Sequence, residues 1–138
     1  MTDVELVAKK LALIETYVAE LRRLANPAAL ASDVRERRFI EHTLQIAIQA
    51  MLDVASHIVS DEHLGEPETN KQLFERLAAA HWVSEDQRKV FVAMAGFRNI
   101  LVHAYAAVDP SIVRDIVENR LGDLIDFVTS IRAQLATR

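Results

Sequence analysis

Apolar positions recur at steps of three and four along most of the chain, the period of a helix buried on one side. Val4, Val7, Leu11, Ile14, Val18, Leu21 and Ala25 make one such stripe, which predicts a helix over residues 3–25, opened by a Thr2–Glu5 capping box. Asn26-Pro27 stops it, because proline lacks an amide and disfavours helical geometry in the residue before it. Ser32 is the expected cap of a second helix reaching about residues 58–60. Its first turns are charged and its remainder, from Phe39 to Val59, is apolar over more than one face. A helix of that kind is central in a bundle or shared with a second subunit. The run from Ser60 to Glu68, with Gly65 and Pro67, reads as a loop. Thr69 with Gln72 opens a short helix to about Ala80, and Ser84 with Gln87 opens another that carries Val90, Phe91, Met94, Phe97 and Leu101. Asp109-Pro110 caps and starts the last, which should pack through Ile112, Ile116, Leu124, Phe127, Val128, Ile131 and Leu135. No segment alternates like a strand. The expected fold is all-α, an antiparallel bundle of four long helices with one additional short helix.

Composition narrows this further. With 138 residues, 51% apolar, and only three glycines and three prolines, a single domain over residues 1–138 with a substantial core is expected. The net charge of −4 is not that of a protein held to nucleic acid by its overall field, so an RNA contact needs a local pocket, and no DNA partner is expected. There is no cysteine, hence no disulfide or thiolate chemistry. The start Met-Thr-Asp-Val-Glu lacks the features of a signal peptide, and no apolar run approaches the roughly 20 residues of a membrane span. A cytoplasmic protein with no membrane association is the expectation.

Chemistry concentrates in Arg98-Asn99-Ile100-Leu101-Val102-His103-Ala104-Tyr105, at the end of an otherwise apolar helix. A guanidinium, an amide, an imidazole and a phenol beside a core cost stability unless each is hydrogen-bonded or wet. On a regular helix Asn99 and His103 share a face, Arg98 and Tyr105 nearly align on another, and Arg98 and His103 stand roughly 140° apart. Either the helix ends near His103 and the chain turns, or a second copy supplies the missing group across a homodimer. An imidazole can take a proton from a ribose 2′-hydroxyl or deliver one to the leaving 5′-oxygen. A guanidinium can hold two phosphate oxygens and stabilise charge that develops on them. RNA brings its own nucleophile, so Arg98 and His103 suffice as catalytic groups, Asn99 could orient the imidazole or the phosphate, and neither metal nor cofactor is expected. Asp53, in the middle of an apolar helix, is a further supporting candidate, because a buried carboxylate needs a partner: Arg98, or a cation on another helix. Blander readings stand beside these. A histidine at a helix C-terminus suits the dipole, Arg98 could lay its stem along Phe97, and Tyr105 could be a core aromatic. His57, Asp61 and His63 lack metal-ligand spacing and read as solvated loop residues, and His42 and His81 as surface or boundary residues. Arg22, Arg23, Arg35, Arg37, Arg38, Arg88 and Lys89 could rim a phosphate site, but their acidic neighbours favour an ordinary ion-paired surface.

The pattern Arg98-x4-His103-x-Tyr105, with Asn99 after the arginine, resembles the signature of the HEPN superfamily, and more narrowly the HepT-type toxins encoded beside a minimal nucleotidyltransferase. The stretch from Leu44 to His57 is similar to that family's long second helix, and the resemblance spans the whole chain. It implies a HEPN-like fold, a homodimer with a composite cleft, and a toxin that cleaves RNA through Arg98 and His103. It also implies a cognate nucleotidyltransferase antitoxin that silences the toxin by transferring AMP to Tyr105, whose phosphodiester would sit beside Arg98 in place of the RNA phosphate. The alternatives are a non-catalytic helical subunit that binds nucleotide or partner in a nucleotidyltransferase complex, or a plain helical interaction protein.

Overall fold

The computed structural model describes residues 2–138. Its long helices are α1 (Val4–Leu24), α2 (Val34–Asp61), α4 (Glu85–His103) and α6 (Leu121–Thr137). The shorter α3 (Asn70–Ala79) and α5 (Pro110–Asp115) complete the α-helical set, and the described residues contain no strand. A π-helical turn, Ile116–Arg120, joins α5 to α6, so the last expected helix is one element with an interruption.

Neighbouring helices run in opposite directions, as polar contacts at their ends record. The Asp3 amide at the start of α1 donates to Asp61 at the end of α2, and the Asn26 amide beyond the end of α1 donates to Glu36 near the start of α2. Gln87 at the start of α4 bonds Ser130 late in α6. α1 packs along α2 and α6, and α2 along α4. Between them lie Val7, Leu11 and Ile14 of α1, the Ile40–Ile58 face of α2, and Leu124, Phe127 and Ile131 of α6, all inaccessible to solvent. Phe74, Phe91 and Phe127 meet with centroids 5.3–6.0 Å apart, two of the pairs edge to face, and tie α3, α4 and α6 together.

Caps fix the helix starts, with three corrections to the sequence reading. Asp3, not Thr2, caps α1 by accepting from the Leu6 amide, while Thr2 is buried. Asp33, not Ser32, caps α2, accepting from the Arg35 and Glu36 amides. In both places a carboxylate one position later reaches the orphan amides and also suits the positive end of the helix. Ser84 and Gln87 form a complete reciprocal capping box. Thr69 caps α3, but Gln72 accepts from the Glu68 amide rather than closing the box on Thr69. Two helices end on a left-handed residue that is not glycine. His63 and His81 take the left-handed conformation (φ 54° and 64°) and the amides that follow them, of Leu64 and Trp82, return to the carbonyls of Val59 and Leu77. The expected Ile112 contact fails as well: Ile112 is 50% exposed, while Val113 and Val117 are buried. The π turn holds an extra residue, which rotates everything before it relative to α6.

Candidate active site

The Ser84–Gln87 box starts α4, and buried Phe91, Met94, Ala95 and Leu101 hold it against the core. The helix stays regular through Arg98 and Asn99 and ends only at His103, where Ala104 leaves helical geometry (φ −137°, ψ 47°). A single 3-10 turn, Tyr105–Ala107, follows, and buried Val108 pins it down. Extended Asp109 then precedes Pro110, as the residue before a proline must, and its side chain caps α5.

Arg98 and His103 therefore remain about 140° apart around α4, and about 7.5 Å apart along its axis. Arg98 is half-buried. One of its terminal nitrogens donates to the Asn99 side-chain oxygen (3.3 Å), and its Nε is buried with no hydrogen-bond partner. Asn99 thus spends its oxygen on the guanidinium next to it. His103 is exposed at the end of the helix. Ile100 and Val102, 41% and 38% exposed, present apolar surface in the same stretch.

Tyr105 departs from the sequence expectation. A helix continued to residue 105 would align it with Arg98, but the turn at Ala104 carries it to the start of α2 instead. Its hydroxyl donates to Glu41 Oε1 (2.9 Å), and the Arg37 guanidinium lies over its ring, 5.3 Å from the centroid. Arg37 Nε donates to the same Glu41 oxygen (2.9 Å). The cations around Tyr105 are thus Arg37 and, more distantly, Arg38, not Arg98. The Glu41 hydrogen bond and charge, together with partial desolvation, raise the phenol above its ordinary range, partly opposed by Arg37 and Arg38. Arg38, Glu41, His42, Gln45, Leu101 and Tyr105 line an open cleft of about 490 Å³.

Asp53 does not meet Arg98. It pairs with Lys10 on α1 (3.2 Å) and accepts from Gln49 one turn earlier (2.9 Å), which ties α1 to α2. It lies twelve residues beyond Glu41, about 18 Å along α2. Asp61 is the last residue of α2 rather than part of a loop, and His63 is the left-handed residue just after it. His42 and His81 are exposed, as the sequence reading has them. Among the described residues no three His, Asp or Glu side chains gather as a metal-binding group, and no helix is long and apolar enough to cross a membrane. The residue that sequence reasoning missed is Glu41. Its signal was the i,i+4 spacing from Arg37, which looks the same whether the pair is exposed or buried.

A family profile described as Ribonuclease HepT-like matches residues 14–131. The mRNA nuclease HepT of Shewanella oneidensis is 25% identical over 131 residues, covering 94% of this chain and 98% of that protein. The tRNA nuclease HepT of Aphanizomenon flos-aquae is 28% identical over 141 residues, covering 99% and 96%. A solved structure of the tri-AMPylated Shewanella oneidensis HEPN toxin in complex with MNT antitoxin superposes with a TM-score of 0.86 at 26% identity, covering 96% of this chain and 99% of that one.

Proposed function

The chain belongs to the HepT-like ribonuclease family, and from that premise we propose that it is the toxin of a toxin–antitoxin pair, a metal-independent endoribonuclease in which Arg98 and His103 cleave RNA across a homodimer. The observation that carries this reading is the unpartnered, buried Nε of Arg98 on a helix that stays regular up to an exposed His103. An orphan buried donor costs about 1–3 kcal/mol. The half-buried side chain can turn its guanidinium toward the oxygens of an arriving phosphate, which offer the acceptors that it lacks. Because one helix aims Arg98 and His103 to different sides, a second copy meeting the first over exposed Ile100 and Val102 completes the cleft.

In that cleft the imidazole of His103 moves a proton: off the 2′-hydroxyl as it attacks phosphorus, or onto the departing 5′-oxygen. Arg98 stabilises the charge that accumulates on the non-bridging oxygens. Asn99 braces Arg98 through their mutual hydrogen bond. Asp53 contributes by holding α1 and α2 in register rather than by touching substrate. The relatives' names, an mRNA nuclease and a tRNA nuclease, support cleavage over a non-catalytic subunit. The AMPylated relative in complex with MNT antitoxin supports control by a cognate nucleotidyltransferase that transfers AMP to Tyr105. The protein acts in the cytoplasm, where its RNA substrates are.

Expression of the wild-type chain and of His103→Ala, with and without a cognate nucleotidyltransferase, tests the assignment. Growth arrest lost in the variant, together with EDTA-insensitive cleavage in vitro leaving 2′,3′-cyclic phosphates, is the expected result. Unchanged cleavage by His103→Ala, or metal-dependent cleavage leaving 5′-phosphates, overturns it.

A further inference from the structure

Glu41 has no place in RNA cleavage as derived above, yet it is the most completely buried carboxylate beside the motif, 4% exposed. Burying a charge is costly unless it is paired, and Arg37 supplies the pair. Its Oε1 is already hydrogen-bonded to the Tyr105 hydroxyl hydrogen, while its Oε2 is buried without a partner. The open cleft on the same side gives a nucleotide access to that hydroxyl, with Arg38 in its wall.

We propose that Glu41 is the base on the acceptor side of the nucleotidyl transfer to Tyr105, taking the phenolic proton as the oxygen attacks, with Arg37 holding the carboxylate in place. The inference rests on the reading that Tyr105 receives the AMP. In the step, the Tyr105 oxygen forms a bond to the α-phosphorus of a nucleoside triphosphate, the bond from that phosphorus to pyrophosphate breaks, and the proton passes from Tyr105 to Glu41 Oε1. The phenol needs such help, because a tyrosine hydroxyl is protonated at neutral pH and the hydrogen bond from it to Glu41 holds it further above its ordinary range. The charged and titratable groups facing Tyr105 are Glu41, Arg37, Arg38 and His42, all of α2. Of these only Glu41 is hydrogen-bonded to the hydroxyl.

The test follows the rate of AMP addition by intact mass, using the purified cognate nucleotidyltransferase with magnesium ATP, on wild type, Glu41→Gln, Glu41→Asp and Tyr105→Phe. Glu41→Gln keeps an oxygen that can accept from the phenol but no longer takes up its proton. Its rate is expected to fall about 10²-fold or more at neutral pH. It should then climb about tenfold per pH unit between about pH 7 and 9, as phenolate forms unaided, while wild type changes little. Glu41→Asp, which restores a carboxylate, should stay within about tenfold of wild type. A Glu41→Gln rate equal to wild type overturns the proposal. So does a slow rate that ignores pH, or a Glu41→Asp rate as slow as that of Glu41→Gln, since each reduces Glu41 to a structural role. Circular dichroism melts show whether a variant is folded; if Glu41→Gln is not, a folded Glu41→Asp more than about 10²-fold slower than wild type overturns the proposal. Addition of AMP to Tyr105→Phe would instead sink the reading of Tyr105 as acceptor, a result separate from any on Glu41.

Discussion

The two halves of α4 are built to different ends. From Ser84 to Ala95 the helix has a reciprocal capping box, an acidic first turn, and Phe91, Met94 and Ala95 sealed in the core. From Arg98 to His103 only Leu101 is buried, Ile100 and Val102 are partly bare, and a guanidinium nitrogen is buried without a partner. The first half spends its residues on packing and on satisfied backbone groups. The second accepts exposed apolar surface and an unmet donor, a combination that packing alone does not reward. Within a single element, the well-packed stretch and the stretch that carries the proposed catalytic groups are thus separated by about one turn of helix.

Substitutions can break or sharpen that division. The largest effect is expected from His103→Ala, which should cut RNA cleavage about 10²–10⁴-fold and leave the melting temperature within about 2 °C of wild type. Thermal melts beside a cleavage assay check both halves of the statement, and a large loss of stability would erase the division. Phe91→Ala should do the reverse. It removes a ring packed edge to face on Phe127 and is expected to cost about 3–5 kcal/mol in urea unfolding. A cost under about 1 kcal/mol would show that the first half does not carry the packing claimed for it. Ser84→Ala, which deletes one side of the capping box, should cost about 1 kcal/mol with no change in cleavage per folded molecule.

The smallest effect calibrates what exposed polarity is worth without a task. The Arg132 guanidinium holds the Glu15 carboxyl below its ordinary value. The pair therefore stabilises above the unfolded carboxyl's pKa of 4.5, and its contribution disappears as pH falls through the lower folded value. Both side chains are nearly half exposed, so solvent screening leaves Glu15→Ala costing only about 0.2–0.5 kcal/mol at pH 7. Urea titrations at pH 7 and about pH 3 should show the difference shrinking at the lower pH. A cost above about 1 kcal/mol would mean that surface pairs here are stronger than assumed.

Much of this protein could be read from its residues. Stripes such as Val7, Leu11, Ile14, Val18 and Leu21 settle helical type, because burial on one side of a 3.6-residue period leaves no other regular solution. Asp109-Pro110 and Ser84–Gln87 mark helix starts because their effects are local. Arg98, Asn99 and His103 stand out as polar groups in an apolar run. What stayed hidden depended on neighbours distant in sequence or on competition between adjacent residues. Asp3 and Asp33 displaced Thr2 and Ser32 as caps, since one shift of register decides which side chain reaches the free amides. The π turn at Ile116–Arg120 changed which of Ile112 and Val113 faces inward. Tyr105 met Glu41, 64 positions earlier in the chain, only because α4 stops at His103 beside the start of α2. Sequence determined the helices and the reactive groups because backbone propensity and apolar period act within a few residues. Tertiary structure alone decided which carboxylate the tyrosine faces and which cation Asp53 finds, because those pairings exist only once separate helices pack.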